Sequence, residues 1–457
     1  MMSTRDSANG AGTANLAYGP ETTNPATRAA RLRPGLSPWR MVTGLGMVSL
    51  FADIVADGGK SIYGPFLASL GASALVVGVV TGLAEGASLV LRLATGPLAD
   101  KRGNHWWWTI AGYLLTAVCI PLLGVAPFAG AAGVTLASVL IIVERVGKAM
   151  RSPSKSTLLA HAAKAVGRGK GFGVHKFLDM VGACTGPIIV SAVLAATGRM
   201  WLALVVLAIP AVITMGILVW LRGRVPDPSV YDAAASRTAT SSSSSGDDDA
   251  GVGVAQQTTT QKLRHFAEAA VGVGLPGMFF VYALAVGLTS GGLVTFGIAS
   301  YHMEKAGLVA TALIPLVFAA ANLAGALAAL VNGWAFDRRG ARVLYILPFL
   351  VAAVPPLALG HSTAGALVGM AVWGFATGLQ DSTIKAVVAE LVPSERLAGA
   401  YGVFAAVQGA AALIGGIVIG ALYDASIPWL IGVVAAVQVV ALVLLVISNR
   451  HLRQERA

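Results

Sequence analysis

WWWTIAGYLLTAVCIPLLG, residues 106–124, is a run of nineteen residues without one charged side chain. At an α-helical rise of 1.5 Å per residue it extends about 28 Å, close to the ~30 Å hydrocarbon core of a bilayer. Trp201–Trp220 and Trp429–Ile447 share this property. A helix with no polar face cannot lie on a water-soluble surface, so these runs predict membrane spans.

Composition extends that reading to the whole chain. Its 457 residues are 56% hydrophobic and 12% charged, with a mean hydropathy of +0.75. Soluble domains carry about 25% charged residues, so a soluble fold of this chain could not cover its surface. Glycine is abundant inside the apolar runs (55 in all), as it is where membrane helices pack closely. Alternating ~10-residue segments are missing, which excludes a transmembrane β-barrel. The net charge of +11 is no nucleic-acid footprint, because its lysines and arginines crowd into the N-terminal tail, a few loops and the C-terminus. Cys119 and Cys184 fall within apolar runs and read as small buried residues, with no disulfide framework. The seven histidines lack metal-ligand spacing, and no phosphate-binding G-x-x-x-x-G-K-[ST] occurs. Neither a cofactor nor a metal is expected, nor an enzyme, and the driving energy must be a gradient.

Twelve spans are expected, at 41–69, 74–98, 105–127, 131–152, 171–197, 201–222, 270–300, 308–331, 343–360, 364–390, 399–423 and 428–448. Residues 1–40 are polar without a short apolar core, so they predict a disordered cytoplasmic tail and not a cleaved signal. Residues 223–269 include SRTATSSSSSGDDDAGVGVAQQTTTQ, which cannot bury a core and predicts a flexible linker. The domains are therefore the tail, a lobe at 41–222, the linker, a lobe at 270–448 and a C-terminal tail at 449–457. Lys101, Arg102, Lys155, Lys164, Arg168, Lys170, Arg338, Arg339, Arg342 and Arg396 fall on one side, against Arg199 and Lys305 on the other. That bias places both termini in the cytoplasm of a multi-pass protein of the cell membrane.

The two lobes repeat each other. GPLADKRG at 96–103 matches GWAFDRRG at 333–340, each after the second span of its half. KSTLLAHAA at 155–163 matches DSTIKAVVA at 381–389, and FGVHKFLDMVGACTGPII at 172–189 matches YGVFAAVQGAAALIGGIV at 401–418. Three matches in order signify a duplication.

On these motifs the chain resembles the major facilitator superfamily over its whole length. The family's G-x-x-x-D-[RK]-x-G-[RK] loop signature is met by Gly96, Asp100, Lys101 and Gly103, with Asn104 in the last basic position. A second copy has Gly333, Asp337, Arg338, Gly340 and Arg342. The G-x-x-x-G-P signature of the family's exporters is met by Gly182, Gly186 and Pro187 in span 5. Arg145 only partly meets the arginine motif of span 4, since its glycine, Gly147, stands two residues on instead of four. ERVGKAMRSP, 144–153, resembles a branch whose substrates are largely unassigned. The resemblance implies an all-α fold of twelve transmembrane helices in two pseudo-symmetric six-helix lobes. Spans 1, 4, 7 and 10 would line a central site, and 3, 6, 9 and 12 would form the outside.

Ionisable groups at bilayer depth cost at least about 2.5–3.5 kcal/mol each, so they mark function. Span 1 carries Asp53, Asp57 and Lys60 on one helical face; span 2 carries Glu85 and Arg92; span 4 carries Glu144, Arg145, Lys148 and Arg151; span 5 carries His175, Lys176 and Asp179; span 10 carries Asp381 and Lys385. Helical spacing suggests pairing of Asp57 with Lys60 or span 4, Glu144 with Lys148, and Asp179 with His175. Structural ion pairing is one reading. The other is proton uptake by a carboxylate, with Asp57 and Glu144 first and Asp179 and Asp53 next, and Lys60, Arg145, Lys148 and His175 as counter-charges. Asp100 and Asp337 are expected to hold the loops against helix ends or neighbouring arginines. The ridge Gly78-x-x-x-Gly82-x-x-x-Gly86 predicts close packing within or between lobes. Trp373, Phe375 and Gln380 on span 10 and Tyr282 and Phe296 on span 7 are candidate cargo contacts, though lone aromatics more often pack. The expectation is a proton-coupled exporter of a small organic molecule, bound to the lipid bilayer, monomeric and without nucleic acid. An importer or exchanger of an organic anion is the alternative, and a non-transporting sensor the third.

Overall fold

A computed structural model describes residues 35–232, 275–392 and 396–454. The expected tail before Gly35 and most of the expected linker lie outside the described residues. We number the α-helices in chain order. In the first lobe they are α1 (Pro38–Lys60), α2 (Tyr63–Ser69), α3 (Ala74–Arg102), α4 (His105–Leu122), α5 (Gly133–Val166), α6 (Arg168–Thr197), α7 (Met200–Val206) and α8 (Ala208–Arg224). In the second they are α9 (Gly277–Gly292), α10 (Phe296–Lys305), α11 (Ile314–Arg339), α12 (Leu347–Ala358), α13 (Thr363–Leu391), α14 (Leu397–Ala425) and α15 (Ile427–Gln454).

Among the described residues, ten stretches are long and apolar enough to cross a bilayer. One of them, Thr311–Ala358, holds two spans divided at Gly340, whose φ of 61° ends α11, and Thr363–Leu391 completes the twelve. The twelve-helix expectation is met, with spans 1, 6 and 7 each broken into two helices. The first break has a local cause: Pro65 has no N–H to offer the Ser61 carbonyl, so α1 cannot continue into α2. In the third, Thr295 caps α10 by accepting from Ile298 N at 3.3 Å. Span 4 is longer than expected. Its helix runs on to Val166 because Leu158, Leu159 and Ala162 find a second apolar core with Leu36, Val225 and Tyr231. Thus Val225–Asp232, assigned to the linker by composition, is packed: Tyr231 is fully buried and its hydroxyl donates to the Leu36 carbonyl at 3.0 Å. Asp232 meets His161 at 2.7 Å and Lys164 at 3.3 Å.

An even number of spans puts Pro38 and Gln454 on one face, called here the terminal face, opposite a far face. Small residues set the helix contacts. A Cβ on Gly78 would overlap the Gly416 carbonyl oxygen, and those on Gly82 and Gly86 would lie 3.1 Å from Gly416 Cα and 2.6 Å from Gly409 O. The glycine ridge of α3 therefore seats on α14, across the lobe boundary. Gly182 and Gly186 of α6 abut the Leu50 and Ile54 carbonyls of α1, so the span 5 signature packs within its lobe.

The lobes are also joined by hydrogen bonds, and the five with both partners described lie in the far half. Asp424 at the end of α14 accepts from Ala74 N (3.2 Å) and Leu75 N (2.9 Å) at the start of α3. Tyr301 donates to the Ala72 carbonyl at 3.2 Å, Ser191 donates to the Ala312 carbonyl at 2.6 Å, and the Thr81 and Thr295 hydroxyls are 3.0 Å apart. Beside them α2 and α10 touch at Gly64 and Gly297. The far face is closed.

Candidate functional site

The first lobe holds a polar network that threads five of its six spans. Lys60, the last residue of α1, reaches Glu85 of α3 with Nζ 2.7 Å from Oε1. Arg145 of α5 brings Nη2 to 4.0 Å from the same oxygen and Nε to 3.3 Å from Glu144 Oε2. Glu144 Oε1 accepts from Thr116 of α4 at 3.3 Å, and Thr116 in turn accepts from Arg151. The Arg151 guanidinium lies 4.7 Å from the centre of the Tyr113 ring. Tyr113 OH is 3.3 Å from Ser49 Oγ, which also accepts from Lys155 Nζ at 2.9 Å and sits 3.0 Å from His175 Nε2. Asp179 closes the chain, 3.7 Å from His175 Nδ1 and 3.9 Å from Lys155.

Several expected pairings change. Lys60 pairs with Glu85 and not with Asp57, because it ends α1 and turns toward α3. Glu144 pairs with its neighbour Arg145 and not with Lys148, since its carboxylate points into α4. The Asp179–His175 contact forms as the spacing suggested, with Lys155 added. Span counting puts Lys155 in a loop; it lies inside α5 and belongs to the network.

Solvent reach differs sharply within the group. Glu144 is 0% exposed and Arg145 2%, whereas Glu85 is 38% and Lys60 26% exposed. Asp53 and Asp57 are partly exposed, and among the described residues neither has a cation within 4 Å. Nor, among those residues, do Arg92, Lys148 and Arg151 have a carboxylate within that distance.

The second lobe opposes this with mostly neutral side chains, Asp381 and Lys385 of α13 apart. Trp373 donates from Nε1 to the Val294 carbonyl at 2.9 Å, and its ring packs with Phe296 and Phe318. Tyr282 donates to the Ile384 carbonyl at 3.2 Å and is buried. Phe375 is 46% exposed. Trp373, Phe296 and Tyr282 are packing residues in this closed-far-face arrangement. Gln408 donates to Ser290 Oγ at 3.3 Å, and Gln380 Nε2 is buried with no hydrogen bond among the described residues. Asp381 is exposed on α13; the side chains of Lys385 and Asp100 lie outside the described residues.

At the loop signatures, Gly96 and Lys101 sit on the last turns of α3, and Gly103 adopts φ 60°. In the second copy, Gly333 lies in α11 and Gly340 ends it at φ 61°. Arg338 stacks 3.6 Å over Trp334, while Asp337 is exposed and makes no ion pair among the described residues. No cluster suited to a metal ion occurs among the described residues.

Ser49, Tyr113, Thr116 and Lys155 escaped sequence reasoning, which weighed only charges within spans. Their signal was a hydroxyl inside an otherwise apolar run, and many such hydroxyls merely bond their own helix, as Thr109 does to His105 O.

Comparison with known proteins agrees with this architecture. The family model described as Major Facilitator Superfamily matches residues 49–325 and 278–456. Uncharacterized proteins of Mycobacterium tuberculosis and Mycobacterium bovis are 46% identical over 420 residues, covering 92% of this chain and 95% of theirs. The crystal structure of a mutant of the nucleoside transporter NupG superposes with a TM-score of 0.69 at 14% identity, over 89% of this chain and 99% of that one. A D-xylose-proton symporter does so at 0.62 and 15% identity, over 89% and 96%.

Proposed function

Because the chain belongs to the Major Facilitator Superfamily, and is thus a multi-pass secondary transporter and not an enzyme, we propose that it exports a small organic molecule in exchange for protons. The observation that carries this is a lysine paired with one carboxylate and one helical turn from a second on its own helix. Lys60 holds Glu85 at 2.7 Å, while Asp57, three residues back on its own helical face, has no cation within 4 Å among the described residues. Burial raises a carboxylate's proton affinity and a nearby ammonium lowers it. If Lys60 passes from Glu85 to Asp57 as the lobes rock, one carboxylate takes a proton while the other releases one. Asp53 would serve the same path toward the terminal face. Glu144, sealed against Arg145 and Thr116, then acts as a fixed anchor for Arg145, and Asp179 as one for Lys155. Alternating access between the lobes supplies the movement. The span 5 signature supports export, and the lysine and arginine bias supports termini in the cytoplasm of the cell membrane.

Arg92, Lys148 and Arg151, each without a nearby carboxylate among the described residues, favour a second reading, in which an organic anion is exchanged or imported. Proteoliposomes of known orientation, containing a pH dye and offered a panel of amphipathic cations, neutral solutes and organic anions, separate the two. Accumulation into vesicles whose terminal face points outward, with protons leaving as cargo enters, is the expected result. Accumulation that ignores the pH gradient, or that Asp57→Asn and Glu85→Gln leave unchanged, contradicts proton coupling at this site.

A further inference from the structure

Two grooves open on the lipid-facing surface, one in each lobe, and both lie at the terminal face. The first, about 450 Å³, runs between α1 and α8, walled by Met47, Gly216 and Ile217 with Arg40 and Trp220 among its rim residues. The second, about 490 Å³, lies where α11 turns into α12, walled by Ala335, Val343 and Ile346 with Arg339 and Arg342 on its rim. The same chemistry thus recurs at unrelated positions of the fold. Hydrocarbon-facing walls end in arginines at the depth where a headgroup would lie.

The rims are rich in uncompensated positive charge. Arg40 in the first turn of α1 and Arg224 in the last turn of α8 at the first groove, and Arg339 and Arg342 at the other, are all exposed. None has a carboxylate within 4 Å among the described residues. Exposed aromatics stand beside them. Trp220 lines the first groove with Arg224 5.9 Å from its ring, exposed Trp39 precedes Arg40 in the chain, and Phe349 lines the second. Indole rings favour the headgroup boundary, which places that boundary at the rim.

We propose that each groove is a site for an acidic phospholipid, one acyl chain lying in the groove and the phosphate held by the rim arginines. A groove at hydrocarbon depth cannot hold water against apolar walls, so lipid chains fill it whatever their headgroup. Selectivity comes from the rim. Guanidinium groups match phosphate oxygens, and a basic residue near an anionic surface contributes about fivefold in affinity. Two arginines on each rim, Arg40 and Arg224 on the first and Arg339 and Arg342 on the second, therefore favour an anionic lipid over a zwitterionic one by roughly twenty-five-fold.

The test uses the full chain purified in a neutral detergent, probed with phosphatidylglycerol, phosphatidylcholine of the same chains, and free glycerol phosphate. Lipid retention is counted by native mass spectrometry and thermal unfolding is followed in parallel. Two phosphatidylglycerol molecules should be retained where phosphatidylcholine is lost, with no effect of glycerol phosphate. The double variant Arg40→Gln, Arg224→Gln should retain one and lose the preference at the other site. Gly216→Leu should also retain one, by filling the groove without altering charge; a Cβ on Gly216 meets nothing within 4 Å, so the fold tolerates it. Equal retention of both lipids by the unmodified chain overturns the proposal. So does undiminished phosphatidylglycerol retention by both variants, and stabilisation by glycerol phosphate alone would reassign the rims to free phosphate.

Discussion

Asp424→Ala should loosen the far face. The first four N–H groups of a helix have no partner within it. In α3, Val76 N donates to Ser73 Oγ (3.3 Å) and Val77 N to the Ser73 carbonyl (3.1 Å). The other two, Ala74 N and Leu75 N, donate to the Asp424 carboxylate of the opposite lobe at 3.2 and 2.9 Å. The carboxylate also faces the positive end of the helix dipole, an interaction of about 0.3–1 kcal/mol at an exposed site. Buried, such charge-assisted bonds would be worth about 1.5–3 kcal/mol each, but Asp424 is exposed and water replaces it when the lobes part. A net of about 1 kcal/mol remains, or about a fivefold larger open fraction. Asp424→Asn keeps an acceptor and should shift the balance by less. The assay labels a cysteine at Ala72, which is 5% exposed in the closed gate, with a membrane-impermeant maleimide in a Cys119→Ala, Cys184→Ala background. Gly64→Val is the control, because a side chain there overlaps the Gly297 carbonyl and forces the gate apart. A rate that rises with Gly64→Val yet stays at the parent value with Asp424→Ala would refute the cross-lobe cap.

Glu144→Gln should destabilise the folded protein by about 3–5 kcal/mol, because Arg145, 2% exposed, is left as a buried charge without its closest counter-ion; denaturation in detergent micelles measures it, and Glu144→Gln with Arg145→Met should recover part of the loss. Gly416→Leu should cost at least about 1–3 kcal/mol and weaken lobe association, since its side chain meets the Gly78 carbonyl and Gly82 Cα; cross-linking between α3 and α14 reports it. The clasp of Asp232 on His161 and Lys164 should open in acid. Burial raises the Asp232 carboxyl, but the hydrogen bonds and charges of His161 and Lys164 outweigh it and hold the group below its ordinary value. A depressed carboxyl stabilises the clasp above the unfolded value, about pH 4, and that contribution disappears as pH falls through the folded value. Hydrogen exchange over residues 225–232, corrected for intrinsic rates, should quicken there in the parent and show no such step in Asp232→Asn.

Much of the fold was legible because the bilayer imposes a one-dimensional rule. A span must be apolar over about 20 residues, so Trp106–Gly124 and its fellows announce themselves, and the repeated GPLADKRG and GWAFDRRG reveal the duplication without coordinates. What failed was local in scale. Lys155 was lost to a loop because hydropathy ends a span where polarity begins, while α5 continues as helix to Val166 over a second core. Pairing along one helix, judged by spacing, named Lys148 for Glu144 and Asp57 for Lys60. Arg145 and Thr116 took the first place, and Glu85, from another helix, took the second.

Sequence alone determined that this chain crosses a membrane twelve times in two related lobes, and that its ionisable groups crowd into the first. Those are properties of each residue and its near neighbours, set by the cost of placing charge in hydrocarbon. Which carboxylate meets which cation depended on helices brought together from positions 60, 85, 116 and 145, whose side chains find partners across gaps of 2.7–4.0 Å that no sequence spacing encodes. Tertiary structure likewise decided that the α3 glycine ridge faces the other lobe and that Asp424 caps a helix 350 residues away. Electrostatic contact falls off over ångströms in space, whereas the chain records only distance along itself.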